Sequence, residues 1–190
     1  MGDAPQALTK LYNCLIANNV AEVGYATAAG GGGVGCMGAM TLYNCTIVSN
    51  RTAGTNGGGI CVSGDATYGF GLGTGTFVNC IIYSNSAAGG TNDNYYNDGR
   101  GGIATFTNCC TTPLPAVGAN NIADPPVFVN FTNGNFRLAE GSPCINTGTN
   151  QAWMAGKADL DGNHRIDAYY GTVDMGCYEY FFRGTIIRFR

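Results

Sequence analysis

Two stretches of this chain carry residue types that could do chemistry. The first is Asp159-Leu160-Asp161-Gly162-Asn163, an acidic turn resembling the start of a calcium loop. Its spacing departs from the EF-hand, which places Gly at position six and Glu at twelve. The competing reading is a cap, in which Asp161 and Asn163 satisfy turn amides and Arg165 pairs with Asp167 or Asp174. The second stretch holds Asp93, Asp98 and Arg100, the one mid-chain charged cluster. Two close carboxylates are what an inverting glycosidase needs. His164 stands alone and reads as a solvated loop residue. Tyr68, Phe70, Tyr95 and Tyr96 fall in loops, where rings can stack on a sugar or fold back over a strand edge. No Ser-His-Asp or Cys-His arrangement is evident, and the glycine triplets lack the Lys and the helix of a phosphate loop.

The elements that must position these residues are written as a repeat. Leu11-Tyr12-Asn13-Cys14 recurs as Leu42-Tyr43-Asn44-Cys45, Phe77-Val78-Asn79-Cys80 and Phe106-Thr107-Asn108-Cys109, with Cys-to-Cys steps of 31, 35 and 29 residues. Such a period marks a solenoid, whose units bury their apolar faces against neighbours. Each copy is a short β-branched and aromatic run bounded by Gly, Asn and Ser, so the unit is β. Gly31-Gly32-Gly33, Gly57-Gly58-Gly59 and Gly101-Gly102 precede the copies and read as bends. One rung therefore predicts a bend, two strands, an Asn-Cys corner and a third strand. Stacked, these make an all-β parallel β-helix. Asn13, Asn44, Asn79 and Asn108 tolerate left-handed backbone and are expected to form an internal amide ladder. Cys14, Cys45, Cys80 and Cys109 are expected to stack beside them as small core hydrophobes. Two interruptions, residues 65–75 and 89–100, read as excursions from the rungs, and loops carry function.

Composition narrows the classes. Gly reaches 31 of 190 residues, charged residues are 11% and the net charge is −3. Between residues 11 and 92 only Glu22, Arg51 and Asp65 are charged, which predicts a neutral outer face. No basic patch suggests nucleic acid, and no apolar run is long enough to span a membrane as a helix. The first five residues show no export signal and read as an artificial start, a fragment boundary or a chain that has lost its signal. The nine cysteines are an odd number, so they cannot all pair internally. Cys36 and Cys61 follow the glycine phrases and are expected to form a second column. Cys144 and Cys177 lie in irregular sequence and are the candidates for a disulfide.

From residue 120 the composition shifts. Asp124-Pro125, Phe136-Arg137-Leu138, Gly141-Ser142-Pro143-Cys144-Ile145, Asp159-Leu160-Asp161-Gly162-Asn163 and Val173-Asp174-Met175-Gly176-Cys177-Tyr178-Glu179 follow one another. This string resembles the closing module of bacterial choice-of-anchor Q domain surface proteins. The repeats resemble the right-handed parallel β-helix of the pectate-lyase-like superfold, and their glycine phrases are similar to those of chlamydial polymorphic outer-membrane proteins. The likeness covers about residues 11 to 180. It departs at Asn146, where the family usually has Asp, and in lacking an anchor after Glu179. It implies a right-handed solenoid of residues 1–119 continuing into final rungs and a cap, residues 120–190, as one domain. It also implies a secreted or cell-surface location. Related enzymes bind calcium through clustered carboxylates and use an Arg or Lys base, which the regular rungs here do not offer.

Three functions follow as expectations. The first is a non-catalytic module that binds or displays something, such as a glycan. The second is a degenerate or fragmentary polysaccharide lyase or glycosidase, and the third a self-associating structural solenoid. Residues 178–190 read as an apolar ribbon that packs on the solenoid or on a second copy. No cofactor is expected beyond the calcium alternative at Asp159 and Asp161. Calcium or a chelator should then move the melting temperature little, because stabilisation follows the logarithm of ligand over dissociation constant. A large upward shift in millimolar calcium would assign the metal to that turn.

Overall fold

A computed structural model describes residues 8–22, 31–54, 56–64, 72–89, 92–98, 101–166 and 168–181. The described residues pass through four rungs. The first gives β1 (Leu8–Tyr12), β2 (Leu15–Ala17) and β3 (Val20–Ala21). The second gives β4 (Val34–Cys36), β5 (Ala39–Tyr43), β6 (Thr46–Val48) and β7 (Arg51–Thr52). The third gives β8 (Ile60–Val62), β9 (Thr74–Val78), β10 (Ile81–Tyr83) and β11 (Ser86–Ala87). The fourth gives β12 (Tyr95–Asn97), β13 (Ile103–Thr107) and β14 (Cys110–Thr111), followed by β15 (Gly118–Ala119). A hairpin of β16 (Phe128–Asn130) and β17 (Asn135–Leu138) and a 3-10 turn, Ala152–Met154, complete the described elements.

Equivalent strands pair in parallel to make four stacked sheets, in the orders β1-β5-β9-β13-β15, β2-β6-β10-β14, β3-β7-β11 and β4-β8-β12. This all-β arrangement is compatible with a β-helix or similar solenoid. The repeat phrase sets the register: Leu11 lies opposite Leu42, Leu42 opposite Phe77, and Phe77 opposite Phe106. Each is a strand position whose side chain points inward, and the Phe77 and Phe106 rings stack at 5.0 Å. On the next sheet Ile16, Ile47 and Ile82 align the same way and fill the other side of the core.

The rung differs from the expected one in three ways. It has four strands rather than three, because a second corner follows the third strand. Ser49 and Ser84 take positive φ there, 55° and 52°, and turn the chain into the two-residue strands β7 and β11. The 89–100 interruption is partly structural, since Tyr95–Asn97 pairs with Ile60–Val62 as β12. The third counterpart of the glycine triplets is thus Asn92-Asp93-Asn94, whose carbonyls accept the amides of Gly57, Gly59 and Ile60. Gly101-Gly102 belongs one strand later, with Ile103 opposite Thr74. Finally, Cys61 lies opposite Gly35, and Cys36 opposite Val62. A shift of one residue along a strand swaps faces, so Cys36 and Cys61 form no column.

The C-terminal region takes an unexpected path. Residues 144–177 run along the outside of the stack as a strap. They leave the fourth rung, reach the first and return to the second and third. Their underside covers the outer face of the β2-β6-β10-β14 sheet, where Thr46, Ile81 and Cys110 fall in register and are all buried. Ile81 and Cys110 pack there with Leu138, Cys144 and Met175. That sheet is buried on both faces, as its continuous apolar runs require.

At the glycine triplets neighbouring backbones come close. A Cβ at Gly58 would stand 2.3 Å from the Ser86 carbonyl oxygen, whereas one at Gly38 would meet nothing within 4 Å. Gly58→Ala is expected to cost about 3 kcal/mol by forcing the rungs apart, and Gly38→Ala close to nothing. Thermal unfolding checks the pair, and equal shifts would show that the bend can open freely.

Candidate functional site

The four Asn-Cys corners share one backbone state: Asn13, Asn44, Asn79 and Asn108 have φ of 52°, 48°, 54° and 50°. Their amides, however, face the strap. Asn108 Nδ2 donates to Thr147 O at 2.9 Å, Asn79 Nδ2 to Thr149 O at 2.9 Å, Asn44 Nδ2 to Asp174 O at 3.0 Å, and Asn13 Nδ2 to Ala158 O at 3.0 Å. One amide-to-amide bond exists at this corner, from Asn79 to Asn44 at 3.1 Å. The continuous ladder stands at the second corner instead. Asn19 donates to Asn50 Oδ1, Asn50 to Asn85 Oδ1 and Asn85 to Asn94 Oδ1, each through both its backbone N–H and its side-chain amide. Asn50 and Asn85 close the second and third copies of the repeat phrase, which is the signal that pointed to them.

The cysteine column lies just inside. Cys45, Cys80 and Cys109 are fully buried and Cys14 half-buried. Each thiol contacts the carbonyl two residues back, from 3.3 Å at Cys14 and Cys45 to 3.4 Å at Cys80 and Cys109. Burial and the neighbouring Cys109 thiol push the Cys80 thiol well up from its ordinary value. The buried thiols pack among the apolar side chains of the core as small hydrophobes. Cys144 and Cys177 are both free thiols. Cys144 O accepts the Met175 amide at 3.0 Å, and Cys144 packs beside Cys110. Cys177 lies further along the strap over Thr46. The expected Cys144–Cys177 bond therefore has no counterpart, because the two residues sit over different strands.

The candidate acids are engaged with the backbone. Asp93 Oδ1 accepts the Ala87 amide at 2.7 Å. Asp98 is buried, accepts the Gly64 amide at 3.1 Å and bonds the Ser63 hydroxyl. Arg100, Tyr68 and Phe70 lie outside the described residues, as do Asp167 and residues 182–190 of the expected ribbon. Tyr95 packs on Phe106, 4.8 Å between centroids, so it is a core residue and not a loop platform. Tyr96 is the next residue of β12 and half-buried.

At the acidic turn it is Asp159, not Asp161, that caps. Asp159 Oδ1 accepts the amides of Asp161 and Asn163, both at 2.8 Å, and its Oδ2 the amide of Glu179 at 2.8 Å. Asp161 pairs with Arg137, whose guanidinium lies 4.6 Å over the Tyr178 ring. Among the described residues no group of three His, Cys, Asp or Glu could hold a metal ion. Arg165, expected to pair with Asp167 or Asp174, is fully buried beside Glu179. Its Nη2 donates to the carbonyls of Gly176 at 3.1 Å and Asp174 at 3.5 Å. It also lies 2.9 Å from Glu179 Oε1. That contact is off the hydrogen-bonding direction, since Oε1 has no hydrogen-bond partner. This cluster ties residues 159–165 to residues 174–179 and is structural.

Among the described residues, a concave site lies where the strap meets the first rung. Tyr12, Asn13, Trp153, Lys157 and Ala158 line a pocket of about 350 Å³. Tyr12 and Tyr43 fall in register on the outer face of their sheet and stack at 5.0 Å with an 11° interplanar angle. Trp153, carried by the 3-10 turn, meets Tyr12 edge-on at 4.9 Å. Trp153 Nε1 and Asn13 Oδ1 are buried without a hydrogen-bond partner. Sequence reading missed this site because Tyr12 and Trp153 are far apart in the chain.

Burial pushes the Glu179 carboxyl up to about 9, against the opposing pull of Arg165 and with added repulsion from Asp174. A raised carboxyl favours the protonated form in the fold. Its contribution is complete below the unfolded value near 4.5 and is lost as pH rises towards about 9. Glu179→Gln keeps the neutral form at every pH. Wild type should therefore lose on the order of a few kcal/mol relative to Glu179→Gln between pH 5 and pH 9. Parallel melting curves across that range would show that Glu179 is ionised in the fold.

No family model, curated protein or solved structure matches the chain. The likeness to choice-of-anchor Q surface proteins and to pectate-lyase-like solenoids rests on its motifs alone.

Proposed function

We propose that this chain is a non-catalytic binding module, secreted or displayed at a cell surface, built as a right-handed parallel β-helix and associated with glycans. The handedness follows the strong rule for parallel strand crossovers. The observation that carries the function is the aromatic-walled pocket where Trp153 closes over Tyr12 and Asn13. Concave, mostly apolar sites with a few convergent polar groups are where small ligands bind. Catalysis is disfavoured by the use made of the acids. Asp93, Asp98, Asp159 and Glu179 all accept backbone amides. A carboxylate fixed on its own backbone is poorly placed to protonate a leaving group or activate water.

A glycan array with and without calcium, run beside a lyase and hydrolase assay on polyuronates, tests this reading. Retention on one or more glycans without product formation is expected, and retention should not depend on calcium. Turnover of a polyuronate would establish the enzyme reading instead. An empty array with no turnover would remove both.

A further inference from the structure

We infer that Cys110 and Cys144 form a disulfide site, which closes between the fourth rung and the strap when the chain meets a small-molecule disulfide such as oxidised glutathione. The two residues face each other across the seam where the strap lies on the β2-β6-β10-β14 sheet. Cys110 falls in register with Ile81 on the outer face of that sheet. Cys144 lies on the underside of the strap, where its carbonyl accepts the Met175 amide at 3.0 Å. Both side chains are fully buried in one cluster with Ile81, Leu138 and Met175. The structure holds them as free thiols, hydrogen-bonded to each other. The presence of the bond on the cellular protein rests on the exterior location proposed above, where disulfides persist. Its chemistry does not.

Facing is what separates this pair from the other cysteines. A disulfide needs Cβ atoms about 3.5–4.5 Å apart and side chains that point towards each other. Cys14, Cys45, Cys80 and Cys109 project in parallel from successive rungs, so their Cβ atoms repeat at the strand spacing of about 4.8 Å. Cys109 and Cys110 are adjacent and project to opposite faces. Cys177 sits over Thr46, on another strand. The chemistry is thiol–disulfide exchange. One thiolate attacks a glutathione disulfide and expels one glutathione, and the second thiolate displaces the other from the mixed disulfide. The chain gives up two S–H protons and two electrons, and both pass to glutathione, which leaves as two thiols. The hydrogen bond with Cys144 and burial push the Cys110 thiol well up in the folded chain. Exchange therefore belongs to the stage before the strap seats, while the sheet is still open. The bond closes a loop of about 35 residues that contains the β16–β17 hairpin, and it removes the freedom of that loop from the unfolded chain.

The full chain is reduced, unfolded and refolded with and without oxidised glutathione, then alkylated under denaturing conditions and digested with trypsin. The oxidised protein should lack two hydrogens by intact mass and show two fewer free thiols than the nine of the reduced chain. Residues 101–137 and 138–157 should appear as one joined tryptic peptide, with fragmentation placing the link at Cys110 and not at Cys109. The oxidised form should melt above the reduced form by on the order of 10 °C. Cys110→Ala and, separately, Cys144→Ala should keep the circular dichroism of the reduced wild type, yield no joined peptide and lose the dependence of melting on redox state. The peptide map is made on the wild type, so it decides the matter even where a variant fails to fold. Free thiols throughout, or a link between other cysteines, overturn the inference. Equal melting temperatures for the two forms overturn the role of the bond in holding the strap. If the joined peptide forms while the glycan array stays empty, the binding reading falls and the disulfide stands.

Discussion

The structure depends on one constraint, that equivalent residues recur one rung apart at the spacing of β-strands, about 4.8 Å. A polar group at a corner then has its own counterpart as its nearest neighbour. Asn50 shows how this is used. Its side chain accepts from Asn19, donates to Asn85 and donates again to Ile16 O at 2.8 Å. A buried amide is costly unless such bonds are made, and here the repeat supplies them. The glycine triplets serve the same constraint from the other side. A Cβ at Gly59 would collide with the Asn85 amide, so the bend and the ladder occupy one narrow space.

The first corner uses the same residue type differently. Asn13, Asn44, Asn79 and Asn108 are also left-handed, yet their amides bind the strap. The solenoid's side is thereby turned into a docking strip with one donor per rung. The strap brings Met175 and Cys144 onto the sheet, and Arg165 is buried with it beside Glu179. The pocket is a by-product of this docking. It forms where the strap runs out of rungs, so its far wall is Trp153 and its near wall the first Tyr and Asn of the repeat.

The repeat phrase made the parallel stack, the cysteine column and the left-handed Asn corners legible in the sequence. These depend on local pattern and on register, which a fixed period determines. The second corner was harder, because β7 and β11 have two residues each and no alternation can be seen in so short a run. The third glycine bend was misplaced because Asn92-Asp93-Asn94 replaces it chemically as well as in spelling. The strap was not legible at all, since irregular backbone has no period. Motifs could flag Asp159 and Arg165 but not their partners. Asp159 sits under the amide of Glu179, and the guanidinium of Arg165 lies against the same residue. The pocket, built from both ends of the chain, was beyond pattern reading for the same reason.

The strap also has a consequence for how the protein is made. Solenoids usually fold by adding one unit to the next, because contacts stay between neighbours. Here Asn13 and Ala158 are 145 positions apart, and Thr46 and Cys177 131. On a ribosome the early rungs emerge first, with Thr46 and Ile81 uncovered until the last segment is synthesised. Contacts this distant slow folding, and exposed apolar sheet invites association with other nascent chains. A chain cut short anywhere before the strap would present that bare sheet permanently, so this architecture should be intolerant of premature termination and reliant on chaperones during synthesis.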